Sequence, residues 1–587
     1  MSEQVLLTHP EPLRQYALLA DGERGALVGP RGDVAFLCAP RWHDDAVFSD
    51  LLGGRGTYVV QPADERFVWG GSYQDGTLIW RSRWVAGPDV LESREALAYP
   101  PRRDRVVLLR RAETVRGSSG VRILLDCRGS FGSDRMRLER AGGSVWTGRT
   151  GKLHLRWSGV PEDVAVEKTR EGALTFELEL AENTRHDLVL EIATERFDDD
   201  APDAQQLWRR TEDSWGTAVP KGRSSLSPRD FEHAWAVLRG LTSQDGAMVA
   251  AATTSLPERS EAGRDYDYRY AWIRDQCFVG QAIAAAGGGE LLQTAVTFVR
   301  DRLLADGSRL MPAYTIDGDP VPDQQQLDLP GYPGAPEVQL GNRVRRQFQL
   351  DALGEALLTF AAADRLDVLD ADGWKAVDIA VQGIVERGDQ EDAGIWELEP
   401  RRWAHSRLTC AAGLRAVAAQ RQSKAASWIQ LADRLVDQTN RDCLHPSGRW
   451  QRAPDDPTVD AALLLPALRG AVPADDPRSI ATWRAVIDEL SNDGYVYRFR
   501  HQPGPLNQSE GAFLLCGFHM AMATHQQGDE YGAVRWFERN RSAVGPPGLF
   551  TEEFDVVQRQ LRGNLPQAFV HAVLIESSSV LAGDHPH

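Results

Sequence analysis

Asp265-Tyr-Asp-Tyr-Arg-Tyr-Ala-Trp-Ile-Arg-Asp275 is an aromatic and charged run set directly before an apolar helical pattern, Cys277 to Ala286. Its rings, Tyr268 and Trp272 among them, stand beside a guanidinium and a carboxylate, Arg274 and Asp275. Such groups suit a polyhydroxylated ligand, because rings stack on the apolar faces of sugars and charged forks take hydroxyls in paired hydrogen bonds. Asp275 alone would be an ordinary partner for a helix N-terminus. The run has echoes, however. Gly331-Tyr332 to Gly341-Asn342-Arg343, Gly394-Ile395-Trp396-Glu397-Leu398-Glu399 and Arg449-Trp450-Gln451-Arg452 are of the same kind. So are Tyr497-Arg498-Phe499-Arg500 closing on Glu510, and Gly548-Leu-Phe-Thr-Glu552-Glu553-Phe554-Asp555 followed by Asn564-Leu-Pro-Gln567.

Two positions in these echoes have the neighbourhood that acid–base chemistry needs. Glu397 follows Ile395 and Trp396, and desolvation by such neighbours would hold a carboxyl protonated near neutrality, as a general acid requires. Glu552 and Glu553 lie on a loop too rich in glycine and proline for helix. If that loop is extended, one of the pair points inward and the other outward. A carboxylic acid that protonates a leaving oxygen, opposite a carboxylate that activates water, is the equipment for glycoside hydrolysis with inversion.

The elements that would position these loops are legible in the periodicity. From about residue 14 to 196 apolar residues alternate, as in Leu153, Leu155, Trp157 and Leu174, Phe176, Leu178, Leu180, with turns between the runs. This predicts an antiparallel β-sandwich. After Ser227-Pro228, a cap followed by proline at the first helical position, the period becomes 3.6. Helical patterns begin near 228, 274, 289, 346, 371, 403, 424, 457, 478, 510, 528 and 566. Twelve helices as six hairpins predict a barrel of two concentric rings, an (α/α)6 barrel. Links leaving the second, sixth and tenth helices are short, whereas those entering the even-numbered helices are long and aromatic. All the long loops then share one rim, where binding groups usually lie, and the inner helices begin there with their partly positive ends. The expected division is a sandwich over 1–200, a linker helix and linker over 201–227, and the barrel over 228–587.

At 587 residues the chain exceeds what one growing core accommodates. Its net charge of -18 argues against nucleic acid or an anionic membrane as partner and suits a neutral or cationic ligand. The six cysteines, far apart and mostly in apolar runs, read as buried free thiols. The N-terminus has no basic segment leading into an apolar one, and no run approaches the roughly 18 apolar residues of a membrane helix, so a cytoplasmic protein is expected. No histidine spacing such as HExxH occurs, so neither a metal nor a cofactor is called for.

Asp267 to Asp275, Gly394-Ile-Trp-Glu397, Glu510-Gly-Ala-Phe-Leu-Leu515 and Leu549-Phe-Thr-Glu-Glu553 with Gly563-Asn-Leu-Pro-Gln-Ala-Phe-Val-His571 together resemble glycoside hydrolase family fifteen, the glucoamylases and their bacterial glucoamylase-like and trehalase relatives. The Tyr16-Ala-Leu-Leu-Ala-Asp21 to Phe36-Leu-Cys-Ala-Pro40 region is similar to the opening of the bacterial members. The resemblance implies Glu397 as general acid and Glu552 as base. It implies Arg274 and Asp275 as binders of the nonreducing-end glucose, Trp272 and Tyr268 as an aromatic wall, Trp396 beside the acid, and Arg498 as a substrate-binding arginine. Leu398-Glu399-Pro400 departs from the Val/Ile-Arg-Gly of many bacterial relatives, and Thr551 stands where serine is common. The leading expectation is an exo-acting, inverting α-glucoside hydrolase that releases glucose from nonreducing ends. The alternatives are an α,α-trehalase, a disaccharide phosphorylase and a noncatalytic sugar-binding protein.

Overall fold

A computed structural model describes residues 10–222, 224–258, 265–335, 337–501, 506 and 510–583. The first nine residues and most of the segment joining Arg500 to Glu510 thus lie outside the described residues.

Between Ala17 and Ala193 two eight-stranded antiparallel sheets pack face to face. The alternation read from the sequence holds where one face meets solvent: in Leu174–Ala181 the side chains of Leu174, Phe176, Leu178 and Leu180 are buried and their neighbours are not. It is lost in Arg185–Ala193, where the last six residues are all buried, because this strand is covered on both faces. The helix Ala204–Ala218 lies against it. Its Trp208 and Trp215 are buried, and the Trp208 indole donates to Asp187 Oδ1 at 3.0 Å. Asp203 caps this helix, accepting from the amides of Gln205 and Gln206.

Twelve α-helices follow among the described residues: α1 (Pro228–Leu241), α2 (Ile273–Ala285), α3 (Glu290–Asp306), α4 (Asp351–Arg365), α5 (Ala371–Arg387), α6 (Ala404–Gln420), α7 (Gln422–Cys443), α8 (Leu465–Leu468), α9 (Pro477–Leu490), α10 (Leu514–Gln526), α11 (Glu530–Arg541) and α12 (Ala568–Leu581). The even-numbered ones touch in the order α2, α4, α6, α8, α10, α12 and back to α2, a closed inner ring, with the odd-numbered helices outside it. Composition separates the rings. In α10 every residue from Leu514 to Thr524 is buried, whereas α7 buries only Trp428, Leu431, Ala432, Leu435, Val436, Thr439 and Cys443, one stripe at helical spacing.

Three inner helices start later than the periodicity suggests, each for a local reason. The residues ahead of α4 form a separate 3-10 turn, Arg343–Arg346, capped by Asn342. Those ahead of α10, Ala512–Phe513, form a short strand paired with Glu553 and Phe554. The eighth helix shrinks to one turn after the 3-10 turn Ala461–Leu464, because Pro466 must sit in its first turn and Gly470 and Pro473 close it off. All six cysteines are free and buried. No helix among the described residues is long and apolar enough to cross a membrane.

The inner ring is tight in one place and polar in another. A side chain at Gly354 of α4 would meet the backbone of Thr409 and Cys410 at 2.6 and 2.7 Å, and one at Gly413 would meet the Gly354 carbonyl at 2.5 Å, so α4 and α6 cross in backbone contact. Deeper in, the α2 residue Gln281 donates to Glu355 Oε2 of α4 at 2.6 Å, and Arg469, just after α8, grips Glu576 of α12 through two nitrogens, one at 2.9 Å. Burial pushes the Glu355 carboxyl up to about 7, against the pull of Arg469 and the Gln281 amide.

Two outcomes follow for stability. Gly354→Val should cost about 3 kcal/mol or more, because helix backbones cannot yield as side chains do; an unchanged denaturation midpoint would contradict the crossing. A carboxyl raised on folding binds more protons in the folded than in the unfolded chain. Its contribution is therefore full below the unfolded value of 4.5 and is lost as pH climbs toward about 7. Replacing Glu355 by Gln should make the fall in stability between pH 4.5 and 7.5 shallower by about 1–3 kcal/mol, measured by urea titration at both ends.

Candidate active site

The run from Asp265 to Asp275 works with both of its sides. On one side Arg269, 1% exposed, is locked to Asp267 by two hydrogen bonds (2.8 and 2.9 Å). Its remaining nitrogen donates to three acceptors of the β-sandwich: the Trp42 and Asp44 carbonyls at 3.3 and 2.9 Å and Cys38 Sγ at 3.1 Å. Asp267 also accepts from the Gly341 amide of another rim loop at 3.0 Å. On the other side stand Tyr268 and Trp272, edge to face with ring centroids 5.5 Å apart. Ala271 and Trp272 pair as a short strand with Ala313–Tyr314, and α2 begins immediately after.

Each of those two rings holds one of the glutamates singled out by sequence. Trp272 Nε1 donates to Glu397 Oε1 at 2.7 Å, and Arg274 Nη2 to the same oxygen at 3.1 Å. Both contacts fall on Oε1, so Oε2 is the oxygen available to a ligand. The Tyr268 hydroxyl lies 3.2 Å from Glu552 Oε2. Glu397 and Glu552 are therefore joined through two packed rings, on one rim, although 155 positions separate them in the chain (552 − 397).

The loop bearing Glu397 is a built turn. Asp392 Oδ1 accepts from the Gly394 amide and the Ser406 hydroxyl, both at 2.8 Å, and the Leu398 amide closes back on the Ala393 carbonyl at 2.9 Å. Gly394, at φ +66°, turns under the Trp403 ring, which a side chain at that position would strike at 2.8 Å. Glu397 itself sits at φ +56°, the left-handed region that non-glycine residues adopt only under outside constraint. The expectation that Trp396 shields Glu397 is corrected here. The Trp396 indole turns away to donate to Asp460 at 2.9 and 3.1 Å and packs on Phe513. The tryptophan against Glu397 is Trp272, and the Glu397 side chain keeps 24% of its surface.

Asp275, in the first turn of α2, is buried with the Arg274 guanidinium 4.0 Å away. Burial and the nearby Glu397 push its carboxyl up to about 6, against the opposing pull of Arg274. Arg274 spends its fork on Glu397 and on Gln349 (2.9 Å). Arg498 is set differently from a plain sugar ligand. Its Nη2 bonds Glu510 Oε2 at 2.5 Å and Glu553 Oε1 at 3.1 Å, its Nε reaches Glu510, and its guanidinium lies over Phe513. Glu553, expected to point outward if Glu552 points in, is fully buried, and its second oxygen accepts from the Gly511 amide at 2.9 Å. The strand Glu553–Asp555 begins inside the molecule: Glu553 and Phe554, which point to opposite faces, are both buried.

These acids cannot all ionise together around one arginine. Burial raises Glu510, but Arg498 and a 2.6 Å contact from His501 outweigh it and hold the carboxyl down at about 2. Burial and Glu258 drive Glu552 well above the usual range, and burial and Glu510 do the same for Glu553, with Arg498 opposing in both cases. Sequence reasoning missed Glu258, which lies 3.1 Å from the Tyr268 hydroxyl and 3.9 Å from Arg498. It also missed Gln349 and Asp460. No motif marks them, and they are brought in only by loops that fold back over the rim.

Comparison with known proteins agrees with this arrangement. Residues 238–579 match Glycosyl hydrolases family 15, and residues 5–215 match the Trehalase-like, N-terminal family. A trehalase of Mycobacterium tuberculosis is 29% identical over 96% of this chain and 89% of its own length, and one of Mycolicibacterium smegmatis is 28% identical over 96% and 90%. A bacterial glucoamylase solved in complex with acarbose shares the fold, with a TM-score of 0.72 at 13% identity over 98% of this chain and 94% of that one. A sandwich clasping a closed helical double ring, the paired carboxyls on its rim and a family match over more than half its length lead to one statement: the chain belongs to glycoside hydrolase family 15 and is a glycoside hydrolase.

Proposed function

We propose that this enzyme is an α,α-trehalase, cleaving trehalose to two glucose molecules with inversion at the attacked carbon. The observation that carries the substrate is the extent of the likeness to curated trehalases, which runs through sandwich and barrel alike over 96% of the chain. The broader glucoamylase-type reading rests on a structural likeness at 13% identity, which speaks for the fold.

In this reading Glu397 is the general acid and Glu552 the general base. One glucose unit sits against Tyr268 and Trp272, with Arg274, Asp275 and Trp396 around it. Trp272 and Arg274 fix Glu397 by Oε1, so Oε2 carries the proton to the bridging oxygen. Tyr268 holds Glu552 by Oε2 and leaves Oε1 for water. Water loses a proton to Glu552 as its oxygen bonds to the anomeric carbon; the bond to the bridging oxygen breaks, and that oxygen takes the proton of Glu397. Arg498 acts chiefly as the counter-charge that lets Glu510 ionise beside two other buried acids. The differing Leu398-Glu399-Pro400 segment follows the acid directly, where the second sugar would lie.

Proton NMR during turnover of trehalose should show equal amounts of α- and β-glucose at first, the α anomer from the departing unit and the β anomer from the attacked one. Maltose should yield far less glucose. A sugar phosphate as product would replace the proposal with phosphorolysis. Glu397→Gln and Glu552→Gln should each lower kcat by about 10²–10⁴-fold, and near-normal turnover in either would remove that residue from its role.

A further inference from the structure

The Tyr268 hydroxyl lies between two carboxyl groups, 3.1 Å from Glu258 Oε1 and 3.2 Å from Glu552 Oε2. A phenol has one hydrogen to give and lone pairs with which to accept. Both contacts are attractive only when one carboxyl receives the phenol hydrogen and the other, protonated, donates its own to the phenol oxygen. The arrangement therefore holds one carboxyl proton, and the direction of the Tyr268 hydroxyl records which acid has it. Glu258 and Glu552 are 5% and 6% exposed, so water is a poor substitute for either bond.

We propose that Glu258 is a positioning residue for Glu552: its carboxyl carries the shared proton and gives it to Tyr268, which keeps the phenol hydrogen aimed at Glu552 and leaves Glu552 as the carboxylate that meets water. Nothing in the family assignment specifies a role for this residue, and the proposal rests on Glu552 being the base. Glu258 and Glu552 also contact each other directly, and an ionised Glu258 there raises Glu552. Glu552 can therefore ionise only when Glu258 holds the proton, and the charges around Glu258 favour that order. Arg498, 3.9 Å from Glu258, is already engaged by Glu510 and Glu553, and Glu510 is balanced further by His501. Asp265, also buried, adds negative potential at Glu258, and burial with Glu258 beside it holds its own carboxyl up at about 6. On the far side, Glu397 adds to the charge felt by Tyr268, whose phenol is pushed well above its ordinary value by burial and by these carboxylates, so it stays protonated. When water attacks, one water O–H bond breaks and its proton passes to Glu552. Glu258 and Tyr268 keep theirs.

The test is the pH dependence of kcat on trehalose in three variants of the full chain. Glu258→Leu removes the donor to Tyr268, and the acidic limb of the profile should move up by about one pH unit, a roughly tenfold loss at pH 5 that recovers at higher pH. Glu258→Gln keeps a donor at the same place and should restore the limb to within about 0.3 unit, with kcat within about fivefold of the parent. Tyr268→Phe should shift the limb as Glu258→Leu does, and adding Glu258→Leu to it should shift nothing further. A uniform drop across all pH values in Glu258→Leu, equal defects in the Gln and Leu variants, or additive shifts in the double variant would overturn the proposal. Should Glu258→Leu fail to fold by circular dichroism, Glu258→Gln with and without Tyr268→Phe decides: the Gln substitution must change nothing once the phenol is gone. Failure of the underlying reading looks different, because Glu552→Gln would then retain activity whatever Glu258 does.

Discussion

The buried Arg269–Asp267 pair is the constraint on which the site depends. A guanidinium at 1% exposure needs every donor occupied, since an unpaired buried charge costs about 3–5 kcal/mol. Here the partners come from two sources: a carboxylate two residues away, and the carbonyls and thiol of a β-sandwich loop more than 200 positions earlier. Satisfying Arg269 therefore fixes the sandwich against the barrel and at the same time fixes the backbone that carries Tyr268 and Trp272. Asp267 extends the grip to the Gly341 loop. The sandwich is thus part of the site's framework without lending it a reacting group.

A second constraint is charge. Glu258, Glu510, Glu552 and Glu553 converge on Arg498. Low-lying and raised carboxyls side by side are how one pocket keeps acids of opposite duty at one pH. Glu510 takes most of the positive charge and so leaves Glu553 to hold its proton. The excess of acid also suits the pocket to a neutral ligand rich in hydroxyl donors.

Much of this was legible in the chain itself. Alternation in Leu174–Ala181 and the stripe on α7 specify their elements because one face of each meets water. Three of the inner helices, α4, α8 and α10, start later than their patterns suggest, since a residue buried all round carries no periodic signal and a stretch such as Ala512–Phe513 reads as easily as helix. Glu397 and Glu552 stood out by their aromatic neighbours, yet for Glu397 the neighbour in sequence was the wrong one: Trp272, not Trp396, touches it. Glu258 was invisible because its meaning comes from Tyr268, and a hydrogen bond across ten positions of irregular backbone has no sequence pattern.

The backbone of Glu397 has one more implication. At φ +56° an ordinary residue carries about 1–2 kcal/mol of steric penalty that glycine escapes. The chain thus keeps a carboxyl at a position where its backbone would be more comfortable with no side chain at all. A glycine there would escape the strain but leave Trp272 Nε1 and the buried Arg274 without their shared acceptor, so the bonds that aim the carboxyl are also what hold the backbone in this conformation.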